Sequence, residues 1–225
     1  MKLREYINAT FPGLVLKPNL YHQWNIGIHF ELANGLYPFK CGSDELNDEY
    51  FNLVYDQALS LFNDIISEED KIILVTNMYQ HKSYVRRSKK KMKVYSHYLK
   101  SKNIRFHLKQ ETLPYMFDDE EEAEENSTSQ FSLYCSKQDI HYPLLIKAIC
   151  NQDFPSLKPR LHNPFRLYDP DLFIINVNQN VIFYIYDDRG CEVVANDIET
   201  IRPLYEKYAG WVDEYCRDEI EKRFK

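Results

Sequence analysis

Apolar and polar residues alternate along Ile26-Gly27-Ile28-His29-Phe30-Glu31-Leu32, the period of a strand with one face buried. Downstream the period changes. Phe51, Val54, Tyr55, Ala58, Leu61, Phe62 and Ile65 recur at helical spacing. Ser43 is the expected N-cap of that helix, with Asp44 and Glu45 in a first turn where carboxylates suit the helix dipole. Lys71 to Val75 is a short apolar strand, Lys82 to Lys100 a very basic helix, and Ile104 to Leu108 a second alternating strand. Residues 2–11 form a short helix closed by Pro12-Gly13. Strand, helix, strand, helix, strand in this order predicts crossover units and parallel pairing.

The second half reads differently. Asp118 to Asn126 has no apolar pattern, and its block of like charges predicts an open loop. Gln130 to Cys135 is a strand, and Tyr142 to Cys150 an apolar helix with Pro143 in its first turn. Residues 155–170 carry four prolines and predict an irregular connection. Leu172 to Val177, Val181 to Tyr186 and Cys191 to Ala195 then form a meander. Val181 to Tyr186 is apolar on both faces, as a central strand is. Asp197 or Thr200 caps a last helix, on which Leu204, Tyr208, Trp211 and Tyr215 line one face. The expected fold is α+β: a mixed sheet with helices on its faces and a C-terminal three-stranded antiparallel meander followed by a helix. It forms either one domain over residues 1–225 or two lobes divided near 118–130.

Composition narrows the function classes. At 225 residues the chain can bury a core without staples. Its net charge of −6 disfavours general nucleic-acid affinity, which needs basic surface. Five scattered cysteines with no C-x-x-C predict reduced, mostly buried thiols, and no zinc motif or disulfide framework follows. The N-terminus has no apolar signal-peptide core, and no apolar run reaches the roughly 18 residues of a membrane span. The expected location is therefore cytoplasmic, with no membrane partner. Eighteen tyrosines read first as residues rimming a core and second as an interface.

Three segments carry a family resemblance: Leu145 to Phe154, Ile185-Tyr186-Asp187-Asp188-Arg189-Gly190, and Arg202 to Tyr208. With the strand near Trp24–Leu32 and the helix near Tyr50–Leu61, they resemble the bacterial domain-of-unknown-function family 3885. The resemblance implies a bacterial origin and supplies no catalytic residue. Small bacterial families of this look include toxin-neutralising immunity proteins, which is an analogy only.

Asp187-Asp188-Arg189-Gly190 is the first candidate site. It reads first as a turn, with the Asp carboxylates taking local backbone hydrogen bonds and Gly190 supplying positive φ. It reads next as a partner contact through Arg189, and last as a Mg²⁺ or Mn²⁺ pair completed by Glu192, Asp169 or Asp171. The second candidate is the run of Arg86, Arg87, Lys89, Lys90, Lys91 and Lys93. It is either a solvated helix face over buried Val85, Met92, Tyr95 and Leu99, or a grip on RNA phosphates. The third is the acidic stretch of Asp118, Asp119, Glu120, Glu121 and Glu122, suited to a basic partner or to masking the basic run. Histidine spacing shows no metal motif, and Cys150 with His141 could meet as nucleophile and base only by accident of fold. No cofactor is expected. The leading expectation is a non-catalytic protein-binding module of the toxin-neutralising type. The alternatives are a metal-dependent phosphoesterase at Asp187 and Asp188, and RNA binding through residues 86–93.

Overall fold

A computed structural model describes residues 2–84, 93–117, 120–161 and 169–225. Among the described residues seven strands form one sheet: β1 (Gly27–Glu31), β2 (Lys71–His81), β3 (Lys109–Pro114), β4 (Asn126–Ser136), β5 (Asp171–Asn176), β6 (Val181–Ile185) and β7 (Gly190–Ala195). Their order is β1-β7-β6-β5-β2-β4-β3. Every pairing is antiparallel. The α+β class and the C-terminal meander stand, and the mixed sheet with parallel crossovers does not. The reason is topological: β1 lies at an edge and the whole meander inserts between it and β2, so the intervening helix never joins neighbouring strands.

The helices are α1 (Leu3–Thr10), α2 (Leu20–Gln23), α3 (Asp48–Ile65), α4 (Lys93–His97), α5 (Glu120–Glu125), α6 (Tyr142–Cys150), α7 (Ile198–Tyr208) and α8 (Arg217–Phe224). The sheet buries both faces. Ile72, Leu74, Phe183, Ile185, Cys191 and Val193 pack under α3, α6, α7 and α8. Ile73, Val75, Phe173, Ile182, Tyr184 and Val194 pack under α1 and the chain to Leu20. The strand β6 is buried at every position, as its two apolar faces predict.

Several boundaries differ from expectation. Asn47, not Ser43, caps α3, its Oδ1 accepting from Glu49 N–H at 3.1 Å. A bridge between Phe39 and Leu46, with Gly42 at φ +73°, closes the preceding residues into a turn and delays the helix. The strand β2 runs past Val75 because its polar residues are satisfied inside. Thr76 Oγ1 meets Tyr95 Oη at 3.0 Å, and Asn77 Nδ2 donates to Leu16 O at 2.6 Å. Residues Ile104 to Leu108 are not a strand: Asn103–His107 is a 3-10 helix with Phe106 exposed. The strand is the following β3, an exposed edge whose polar sequence carries no alternation.

The helix expected over Lys82–Lys100 is described only at its ends, as a 3-10 turn Lys82–Tyr84 and α4. Tyr95 and Leu99 are buried as expected. Asp197 caps α7, which stops at Tyr208, and Trp211 sits in a 3-10 turn. Tyr215 lies on no helix face and is 99% exposed. Arg217 donates to the carbonyls of Ala209 and Val212 and fixes this corner before α8, which the sequence reading does not contain. Among the described residues no helix is long and apolar enough to cross a membrane.

Candidate functional site

The β6–β7 hairpin, the first turn of α3 and the C-terminal end of α6 meet at one end of the sheet. Asp187 Oδ1 accepts from Arg189 N–H at 2.8 Å, the local bond that closes the turn. The same carboxylate binds the Arg189 side chain through both oxygens: Nε donates to Oδ1 at 3.1 Å and to Oδ2 at 3.0 Å, and Nη2 also donates to Oδ2. The Asp187 side chain is 8% exposed and that of Arg189 is 70% exposed. A buried anion therefore holds a surface cation in a bidentate geometry, and the pairing raises the Arg189 pKa further.

Asp188 is buried against the first turn of α3. Its Oδ2 accepts from Tyr50 Oη at 2.6 Å. Burial pushes the Asp188 carboxyl above the ordinary carboxylate range, the Tyr50 hydrogen bond opposes this, and the charge of Asp187 adds to it. Tyr50→Phe leaves this buried acceptor without its donor. The expected cost is about 1–3 kcal/mol in urea denaturation.

Asp153, just beyond α6, completes the group. One carboxylate oxygen from each of Asp153, Asp187 and Asp188 lies within 4.8 Å of the others. Burial and then Asp187 raise the Asp153 pKa, and Arg189 lowers it. The two hairpin carboxylates thus converge, and their third member is Asp153 rather than Glu192 or Asp171. Glu192 instead accepts from Leu20 N–H at 2.7 Å, and Asp171 accepts from the hydroxyls of Tyr79 and Tyr184. Gln152 Oε1, beside Asp153, is buried and has no hydrogen-bond partner among the described residues. A divalent cation at the three carboxylates would compete with Arg189, which already occupies both oxygens of Asp187.

Gly190 does not serve as expected. Positive φ belongs to Gly13, Gly35 and Gly42. A Cβ on Gly190 would overlap Tyr186 Oη and lie 2.5 Å from Phe30 O. Glycine is there because the Tyr186 ring crosses the strand at that point to reach His29, whose Nε2 is 3.0 Å from Tyr186 Oη. Cys150 and His141 lie at opposite ends of α6, so they form no catalytic pair. Burial, then Asp188 and Asp187, push the Cys150 thiol up.

The remaining candidates divide. Arg86, Arg87, Lys89, Lys90 and Lys91, the Lys93 side chain, and Asp118 and Asp119 lie outside the described residues. Glu120, Glu121 and Glu122 are described, as the first turn of α5 rather than an open loop. Lys82 Nζ donates to the carbonyls of Ala123 and Glu124 at 3.0 and 2.5 Å, a cation at a helix C-terminus that stabilises this acidic turn.

Sequence reasoning missed Asp153, Tyr50 and the aromatic rim. Tyr37 is 77% exposed, and its carbonyl accepts from Asn47 Nδ2 at the start of α3. Phe39 is partly exposed and its ring lies 6.0 Å from that of Phe154. An aromatic on each side of Pro38 is the available signal.

No solved structure matches the chain. "Uncharacterized protein YnaE" of Bacillus subtilis (strain 168) is 45% identical over 215 residues, covering 96% of this chain and 99% of that protein. The profile of the family described as "Domain of unknown function (DUF3885)" matches residues 3–216, so the chain belongs to the DUF3885 family.

Proposed function

We propose that this chain is a non-catalytic protein-binding module of the cytoplasm, and that its contact surface is the hairpin end of the sheet. One observation carries the reading: Arg189 is exposed yet pinned by the buried Asp187, with exposed Tyr37 and partly exposed Phe39 at the same end. Arginine and tyrosine dominate binding hot spots, and a side chain fixed before binding loses less entropy on contact. The exposed acidic turn of α5 fits a basic partner, and contact there weakens with salt. Neutralisation of a toxin is the specific form of the proposal, in which co-expression of this chain protects a cell from its partner.

The test is capture from nuclease-treated native cytosol by wild-type and Arg189→Ala chains, followed by affinity measurement on the recovered protein. The expected loss is about 2 kcal/mol or more, roughly 30-fold in Kd. A partner bound equally by both chains removes this surface from the contact, and recovery of nucleic acid in its place contradicts the proposal.

A further inference from the structure

A second group of polar residues lies at the hydroxyl end of Tyr186. His29 is on the edge strand β1, and Asp213 and Cys216 follow α7. One donor atom from each of the three lies within 4.8 Å of the others, and all three are half-buried. His29 Nδ1 is 3.8 Å from Cys216 Sγ. Metal–nitrogen and metal–sulfur bonds of about 2.0 and 2.3 Å at a tetrahedral angle separate such donors by roughly 3.5 Å.

The frame behind the three side chains is fixed. Phe30 bridges Val212, and Asp213 N–H donates to His29 O at 2.9 Å, so this segment pairs with the edge of the sheet. Asp213 Oδ1 accepts from Cys216 N–H at 3.1 Å, which holds the carboxylate beside Cys216. His29 is anchored through its other nitrogen, as metal-binding histidines are. With Nε2–H donating to Tyr186 Oη, Nδ1 presents its lone pair toward Cys216.

We propose that His29, Asp213 and Cys216 form a site for a divalent transition-metal ion of the Zn²⁺ class, with one coordination position open. Imidazole, thiolate and carboxylate are the donor set that Zn²⁺ accepts, and three protein ligands leave its fourth position free. Charge balance favours a dication, because one carboxylate and one thiolate neutralise it in a half-buried place. Burial lowers the His29 pKa and keeps the ring neutral, the form that ligates. Without metal, burial and then Asp213 push the Cys216 thiol up to about 11, so it is not a nucleophile on its own account. Metal binding replaces the thiol proton, which passes to solvent, and a Zn–S bond forms in place of S–H.

Titration of the untagged, chelator-stripped full chain with Co²⁺ tests the site. The expected result is one ion per chain, a thiolate-to-cobalt charge-transfer band, and displacement by Zn²⁺. Cys216→Ala abolishes the band, Cys41→Ala keeps it, and Tyr186→Phe weakens binding about 10–100-fold. Should Cys216→Ala fail to fold, the wild-type chain still answers. Zn²⁺ is expected to protect Cys216 from alkylation, mapped by mass spectrometry, and to leave the exposed Cys41 reactive. No charge-transfer band with excess Co²⁺, a band that survives Cys216→Ala, or equal alkylation of Cys216 with and without Zn²⁺ overturns the proposal.

Discussion

Gly190→Ala is expected to destabilise the protein by about 3 kcal/mol, the upper end of the usual range for overpacking. The added methyl meets Tyr186 Oη, Tyr186 Cζ at 2.7 Å and Phe30 O at 2.5 Å. Two of these belong to a ring fixed by His29, and the third is backbone in the β1–β7 ladder. Relief requires Tyr186 to leave His29 or the ladder to open at Phe30. Neither is a small adjustment. Gly210→Ala is the matched control, because nothing lies within 4 Å of its Cβ and its φ is ordinary. There the change should be neutral or stabilising by about 0.4–1 kcal/mol. Urea midpoints for both variants decide the matter. A Gly190→Ala cost as small as that of Gly210→Ala would show that Tyr186 does not cross the strand here.

Glu192→Gln has the second large effect, and it depends on pH. Glu192 is 2% exposed and pairs across the sheet with His29. Burial lifts its pKa from 4.5 to about 7, against the hydrogen bonds from the backbone N–H groups of Leu20 and Tyr21. Between these two values the folded state keeps a proton that the unfolded chain has lost. The Glu192 contribution is therefore fully present below about pH 4.5 and declines until the pH passes about 7. The total decline is about 3 kcal/mol. Glutamine retains an acceptor for Leu20 N–H and does not ionise. Relative to wild type, Glu192→Gln should gain about 3 kcal/mol between pH 4 and pH 8 in urea denaturation. The difference between the two chains isolates Glu192 from His29, Asp153 and Asp188, which titrate in both. A difference that stays flat across this range would mean that Glu192 is hydrated.

The strands and helices with strong apolar patterns were legible in the sequence, and the tertiary arrangement was not. The face-to-face burial of Val181 to Ile185 follows from its run of apolar residues, as does the turn at Asn178 to Asn180. The extension of β2 through Thr76 and Asn77 could not be read. Their burial depends on Tyr95 and Leu16, partners remote in sequence. Parallel pairing was inferred from element order, and the insertion of the meander beside β1 leaves no trace in that order.

The sites divide in the same way. Asp187, Asp188 and Arg189 are adjacent, so their turn was visible, and its reading as a local Asx-type bond is confirmed by Asp187 Oδ1 and Arg189 N–H. Asp153 and Tyr50 reach the hairpin from α6 and α3, a convergence set by packing alone. Neither His29 nor Cys216 falls in a metal-motif spacing, and almost the whole chain separates them. Only the one-turn interval from Asp213 to Cys216 gave a local signal. Gly190 was assigned a conformational role and has a steric one, since glycine in a sequence does not show what passes beside it.

Tyr186 ties these features together. Its backbone starts the acidic turn and its hydroxyl holds His29, so the proposed contact surface and the proposed metal site share one residue. Occupation of the second would further restrain Tyr186, directly before the Asp187 that fixes Arg189.

The mobility of the Arg189 guanidinium in the free protein bears most directly on the proposed contact surface. Nitrogen-15 relaxation of its Nε–H group reads that mobility on the picosecond-to-nanosecond scale. An Arg189 held by both oxygens of Asp187 should give an order parameter near that of rigid backbone, about 0.85, and Asp187→Asn should lower it. A wild-type value below about 0.6 would mean that the side chain moves freely and that no preformed contact stands at the hairpin.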